Sequence, residues 1–140
     1  MARKRILPHV VRPPKLDRGA QLERVRRICS SIPGTIEKIS HGEPTFFTPN
    51  RVFAMFANNH HGDGHVAIWI PAARGAQNAL IEEAPDTYFR PPYVGAAGWV
   101  GVELSKVEDD QLGALIREAF RVMNSQAVAA RRPPKSTSKP

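Results

Sequence analysis

The fold turns on Arg90-Pro-Pro-Tyr-Val-Gly-Ala-Ala-Gly-Trp-Val-Gly-Val-Glu-Leu104, where a constrained loop passes into a strand. Pro91 and Pro92 lack amide donors, so a central strand is excluded there. Gly95 and Gly98 permit positive φ or close backbone approach. From Trp99 onward, Trp99, Gly101 and Glu103 alternate with Val100, Val102 and Leu104. That is the period of a half-buried strand. The loop presents Arg90, Tyr93 and Trp99 as a candidate recognition edge.

Downstream lies the clearest helix. Leu112, Leu115, Ile116, Ala119, Phe120 and Met123 recur at helical spacing and form one apolar stripe. Ser105 and Glu108 have the spacing of a capping box. Asp109 and Asp110 occupy the first turn, where acids favour the helix dipole. The pattern fades after Asn124.

Upstream, Val66-Ala-Ile-Trp-Ile70 alternates like 99–104. The polar loop Asn58–His65 precedes it, and Pro44–Thr48 and Arg51–Phe56 read as a hairpin around Pro49-Asn50. Thr35–Ser40 fits a first strand ending at the turn His41-Gly42, and Tyr88-Phe89 a short later one. A helix is expected from about Arg74 to Glu83, stopped by Pro85. Before all of these, Leu22, Val25, Ile28, Cys29 and Ile32 mark one helical face, with Asp17 as cap and Pro33-Gly34 as stop.

Connections between the first strands are too short for parallel crossovers, so the sheet is antiparallel. The class is α+β: a single domain with helices packed on one face of the sheet, in the order α-β(3-4)-α-β(2)-α. Val66, Ile68, Ile70, Val100, Val102 and Leu104 suit the helical face. Trp69 and Trp99 then fall on the open face, to be covered by the proline loop, a second subunit or a ligand.

Charge divides the chain into three. The 140 residues carry a formal net charge of +7. Residues 1–18 hold six basic residues against Asp17, a net +5, and 131–140 hold four and no acid, a net +4. The 10 basic and 12 acidic residues between them leave that body at −2. Accordingly 1–16 reads as a basic, proline-containing flexible arm, 17–125 as the domain, and 126–140 as a basic disordered tail. The lone Cys29 permits no intrachain disulfide. Ile6–Val11 is too short and interrupted for a signal sequence, and no stretch suits a membrane span. The expected location is the cytoplasm.

The ordered combination of several short segments resembles the MmcQ/YjbR-like family. They are the opening helix with Ile32-Pro33-Gly34-Thr35, then Glu37, His41-Gly-Glu-Pro-Thr-Phe46 and Val52-Phe-Ala-Met-Phe56, then Tyr93-Val-Gly95, Gly98-Trp-Val100 and the closing helix. The resemblance implies a small α+β domain with helices on one side of an antiparallel sheet. It also implies DNA binding of a double-wing kind. The best wing, Asn58–His65, has no Arg or Lys, whereas affinity for DNA comes largely from neutralising phosphates.

Candidate residues follow. Arg90, Tyr93, Trp69 and Trp99 could form an anion-plus-aromatic site, since guanidinium pairs with phosphate or carboxylate and rings stack on bases. The alternative is that the rings complete the core. His41 is a titratable group at a glycine turn, set in the family motif, with no partner nucleophile. His60, His61, Asp63 and His65 have metal-ligand chemistry but read as a polar hairpin tip. Cys29 reads as an inert core thiol. Arg3, Lys4, Arg5, Arg131 and Arg132 could contact phosphate non-specifically, or serve only as solubilising ends.

No nucleophile, metal set or phosphate loop points to an enzyme or a cofactor. The leading expectation is a non-enzymatic binding protein with weak, salt-sensitive DNA binding through the arms. The alternatives are a small anionic ligand over Trp69 and Trp99, or a homodimer.

Overall fold

The computed structural model describes the backbone of residues 13–131 and the side chains of 13–125. The helices are α1 (Ala20–Ser30), α2 (Ala76–Glu83) and α3 (Asp109–Arg131). The strands are β1 (Ile36–Ser40), β2 (Glu43–Phe47), β3 (Val52–Asn58), β4 (Val66–Ile70), β5 (Tyr88–Phe89) and β6 (Val100–Glu103). They form one sheet in the order β1-β2-β3-β4-β6-β5. Every pairing is antiparallel. This is the α+β class expected from the sequence.

The first four strands are successive hairpins. His41 and Gly42 both have positive φ, 54° and 83°. That is the requirement of a two-residue turn whose twist matches the strands, and Ser40 pairs directly with Glu43 across it. After β4 the chain crosses through α2, lays β5 at the sheet edge, and returns through the proline loop to insert β6 between β4 and β5.

Two rows of paired residues separate the faces. Phe56, Ile68, Val102 and Tyr88 are cross-strand partners, all buried. Met55, Trp69, Gly101 and Phe89 form the next row, on the opposite face. Helix α3 lies against β3 and β4, and α1 packs on α3. Val25 and Cys29 of α1 and Leu112, Ile116 and Ala119 of α3 complete the core. Arg24 joins the two helices: its guanidinium donates to Leu104 O at 2.6 Å, to Val107 O and to the Asp109 carboxylate. Arg26 clamps α1 to β1 through both oxygens of Glu37.

Three details differ from expectation. The start of α3 uses no Ser105–Glu108 capping box. Leu104–Lys106 form a 3-10 turn and Val107 is extended, so Asp109 opens the helix. At its far end α3 continues through Arg131, so the first residues expected in the tail are helical. Gln126-Ala-Val-Ala-Ala-Arg131 is rich in strong helix formers.

The arm is also shorter than its composition suggested, because residues 13–16 are held to the body. Pro14 O accepts from Asn59 Nδ2 at 2.8 Å, and Leu16 N donates to Asn58 Oδ1 at 2.9 Å. Asp17 caps α1 as expected, accepting from the amides of Gly19, Gln21 and Leu22. Trp69 and Trp99, expected on the open face beneath a cover, are 5% and 7% exposed within the chain.

Candidate functional site

The face opposite α3 carries a cleft of about 570 Å³, within the range of small-molecule sites. Its floor is the sheet: Thr45 of β2, Met55 and Ala57 of β3, and Trp69 of β4. Its rim comes from three turns. Ser40, His41 and Glu43 stand at the first hairpin, His60 and His61 at the β3–β4 turn, and Tyr93 and Val94 in the proline loop.

The rim is built from unusual backbone. Among the described residues, the non-glycine positions with positive φ are His41, Asn59, His61 and Tyr93. Three line the cleft and Asn59 adjoins them. Hairpin geometry accounts for His41, and asparagine tolerates the left-handed region. Tyr93 is different. With φ 64° and ψ −75°, and Val94 N donating to Pro92 O at 2.7 Å, it is the centre of a γ-turn of the rare, strained hand. The loop holds this conformation while leaving Tyr93 70% exposed at the cleft mouth. Such strain is a marker of sites where presentation matters.

Gln77, on α2, holds the loop in place. Its Nε2 donates to Gly95 O at 2.8 Å and to Trp99 O at 2.5 Å, while its Oε1 accepts from Arg90 Nη1 at 3.2 Å. The β3–β4 turn is braced from the other side by Asn58 and Asn59. Asn58 Nδ2 donates to Asp17 O at 3.0 Å, completing the ring of bonds to residues 14–17.

Aromatic groups meet around His60. Its ring lies edge-on to Trp69 at 5.1 Å, to His61 at 4.2 Å and to Tyr93 at 5.7 Å. Tyr93 Oη and His61 Nε2 are 3.3 Å apart. Burial, and secondarily the charge of His61, pushes the His60 pKa below its ordinary value, so its neutral form is favoured. Three buried side-chain polar atoms among the described residues lack a hydrogen-bond partner. Two of them, His60 Nε2 and Trp69 Nε1, belong to cleft residues.

The structure therefore brings Trp69, Tyr93 and His41 together on one cleft. Arg90 borders a shallower hollow beside it with Asp63, His65 and Phe89. Trp99 lines neither. The histidine loop does not converge as ligands would. His65 Nδ1 lies 2.7 Å from Glu103 Oε1, and its ring stacks on Phe89 at 3.9 Å, while His60 and His61 turn to the cleft. Among the described residues no His, Cys, Asp and Glu group is arranged to hold a metal ion. Cys29 is wholly buried, and burial pushes its pKa up to about 12, the opposite of an activated thiol. Arg3, Lys4, Arg5 and Arg132 lie outside the described residues, and Arg131 ends α3.

Sequence reasoning missed Gln77, Glu43 as a cleft wall, and Lys15. Lys15 Nζ sits 2.7 Å from Glu43 Oε2. No periodicity marks these residues. The Gly95 and Gly98 loop was a signal that something must hold it, but not what.

Taken together, these features define a small α+β domain with an aromatic cleft on the sheet face opposite α3. The YjbR family model matches residues 30–122, and the chain belongs to the YjbR family. The crystal structure of Deinococcus radiodurans protein DR2400, which carries the family-model domain DUF419, has a similar fold. It is 16% identical, with a TM-score of 0.63, over 76% of this chain and 80% of that one. No curated protein matches the chain. No helix among the described residues is long and apolar enough to cross a membrane.

Proposed function

We propose that this chain is a binding protein whose cleft takes a small organic molecule against Trp69. The observation that carries the reading is the pair of unpartnered nitrogens, His60 Nε2 and Trp69 Nε1, in the residues of one aromatic-walled cleft. Buried polar atoms are normally satisfied, so the two unpartnered nitrogens set these residues apart, and the aromatic walls suit a flat ring. The strained presentation of Tyr93 supports the same reading. A thermal-shift screen of small heteroaromatic compounds tests it. Hits should stabilise the wild type and Trp99→Phe, and lose their effect in Trp69→Phe. Hits that survive Trp69→Phe unchanged would place binding elsewhere.

A second reading rests on charge placement. The excess basicity lies at the chain ends, six basic residues against one acid in 1–18, while the cleft lining among the described residues has no Lys or Arg. Non-specific nucleic-acid contact would then belong to the ends and not to the body. Replacing Arg3, Lys4 and Arg5 by Gln should weaken binding of labelled DNA and flatten its salt dependence. An unchanged salt slope would remove this reading.

A further inference from the structure

Among the described residues, the cleft lining has no Lys or Arg and one carboxylate, that of Glu43. His60, the most enclosed of the histidines there, favours its neutral form. Glu43 stands at the start of β2, and its side chain is 19% exposed. Its Oε2 receives Lys15 Nζ at 2.7 Å and Asn58 N at 3.4 Å. Its Oε1 has no hydrogen-bond partner among the described residues.

Lys15 reaches this carboxylate from a different part of the chain. The backbone on either side of it is fixed: Pro14 O to Asn59, Leu16 N and Asp17 N to Asn58 Oδ1. Pro13 packs against Gly62, with its Cγ 3.9 Å from where a Cβ would stand. The lysine side chain itself remains 58% exposed, and its hydrogen-bond partner among the described residues is Glu43. An ammonium is thus already seated at the cleft rim, on a flexible stem that a competitor can displace, since exposed pairs of this kind are weak.

Aromatic walls and a single carboxylate are complementary to a cation. The ring faces carry partial negative charge, and the carboxylate supplies a full one. We infer that the cleft selects an organic cation, an ammonium or amidinium carried on a flat apolar group, with Glu43 as counter-ion and Lys15 as the intramolecular occupant it displaces. The inference rests on the cleft being a ligand site and adds the sign of the ligand's charge. It also reverses the expectation of an anionic ligand, for which Arg90 would have been needed inside the cleft.

The test uses the full chain, ¹⁵N-labelled, with the two tryptophan indole N–H signals followed by NMR. Three probes of matched shape are titrated: 2-phenylethylammonium, 2-phenylethanol and 3-phenylpropionate. The ammonium should move the Trp69 signal with affinity about tenfold above the alcohol, leaving Trp99 in place. Glu43→Gln should reduce the ammonium to the level of the alcohol. Lys15→Met should strengthen the ammonium several-fold and leave the alcohol unchanged. Glu43→Asp keeps the charge and should keep the preference, which separates charge from folding. Equal binding of all three probes, or best binding by the carboxylate, overturns the cation inference while leaving the cleft as a site. If none moves Trp69, the cation inference and the cleft reading both fall.

Discussion

Gly101 shows how a single residue shapes the open face. A Cβ there would meet the Phe89 ring at 2.4 Å, so only glycine lets the ring lie flat over β6. His65 in turn stacks on Phe89 and reaches Glu103. Gly101→Ala should therefore destabilise the fold by about 1–3 kcal/mol, measured by urea denaturation, and should disturb the hollow that His65 and Phe89 line beside the cleft. His60 carries a pH dependence. Its folded pKa is below the unfolded value of 6.5, chiefly through burial. Stability from the neutral imidazole is thus fully present above about pH 6.5. It is lost as pH falls towards the folded pKa, because the unfolded chain takes up the proton first. The melting temperature of wild type should drop more steeply on acidification than that of His60→Asn. Parallel profiles would contradict this.

At the scale of elements, the helix pair depends on one guanidinium. Arg24 is 16% exposed and takes up the carbonyls of Leu104 and Val107, which precede α3, together with the Asp109 carboxylate. The contact with Arg24 holds the Asp109 pKa below its usual range. Arg24→Met would leave those carbonyls without a partner and should cost about 2 kcal/mol, read from chemical denaturation. A neutral result would mean water replaces the guanidinium without loss. The strands themselves were legible because their signal is local. Alternation in 66–70 and 99–104, the proline breaks and the apolar stripe of 112–123 each act within a few residues. The Ser105–Glu108 box misled because Arg24, far away in sequence, draws the Leu104 and Val107 carbonyls to itself. The extension of α3 to Arg131 was legible in its alanines but outweighed by the charge of the tail.

For the molecule as a whole, the candidate site was half readable. Trp69, Tyr93 and His41 were singled out from composition and family resemblance, and they do line one cleft. Trp99 was grouped with Trp69 by strand alternation, and Arg90 with Tyr93 by their shared loop. Yet Gln77 ties both ends of that loop, Arg90 and Trp99, to α2, while the γ-turn turns Tyr93 to the cleft mouth. The residues that close the cleft act across long separations: Lys15 to Glu43, Pro14 to Asn59, Gln77 to Gly95. Contacts of that kind leave no pattern in a single sequence. They also join the basic N-terminal segment to the cleft rim, so changes in residues 13–17 are expected to alter both the fold's edge and the site.

The cleft beside Trp69 is the centre of this account, and its most direct measurement is the pair of tryptophan indole ¹H–¹⁵N signals during a titration with mixed small aromatic fragments. The Trp69 signal should shift in a saturable way while Trp99, which does not line this cleft, stays fixed. A Trp69 signal that stays fixed throughout, or a shift confined to Trp99, would contradict it.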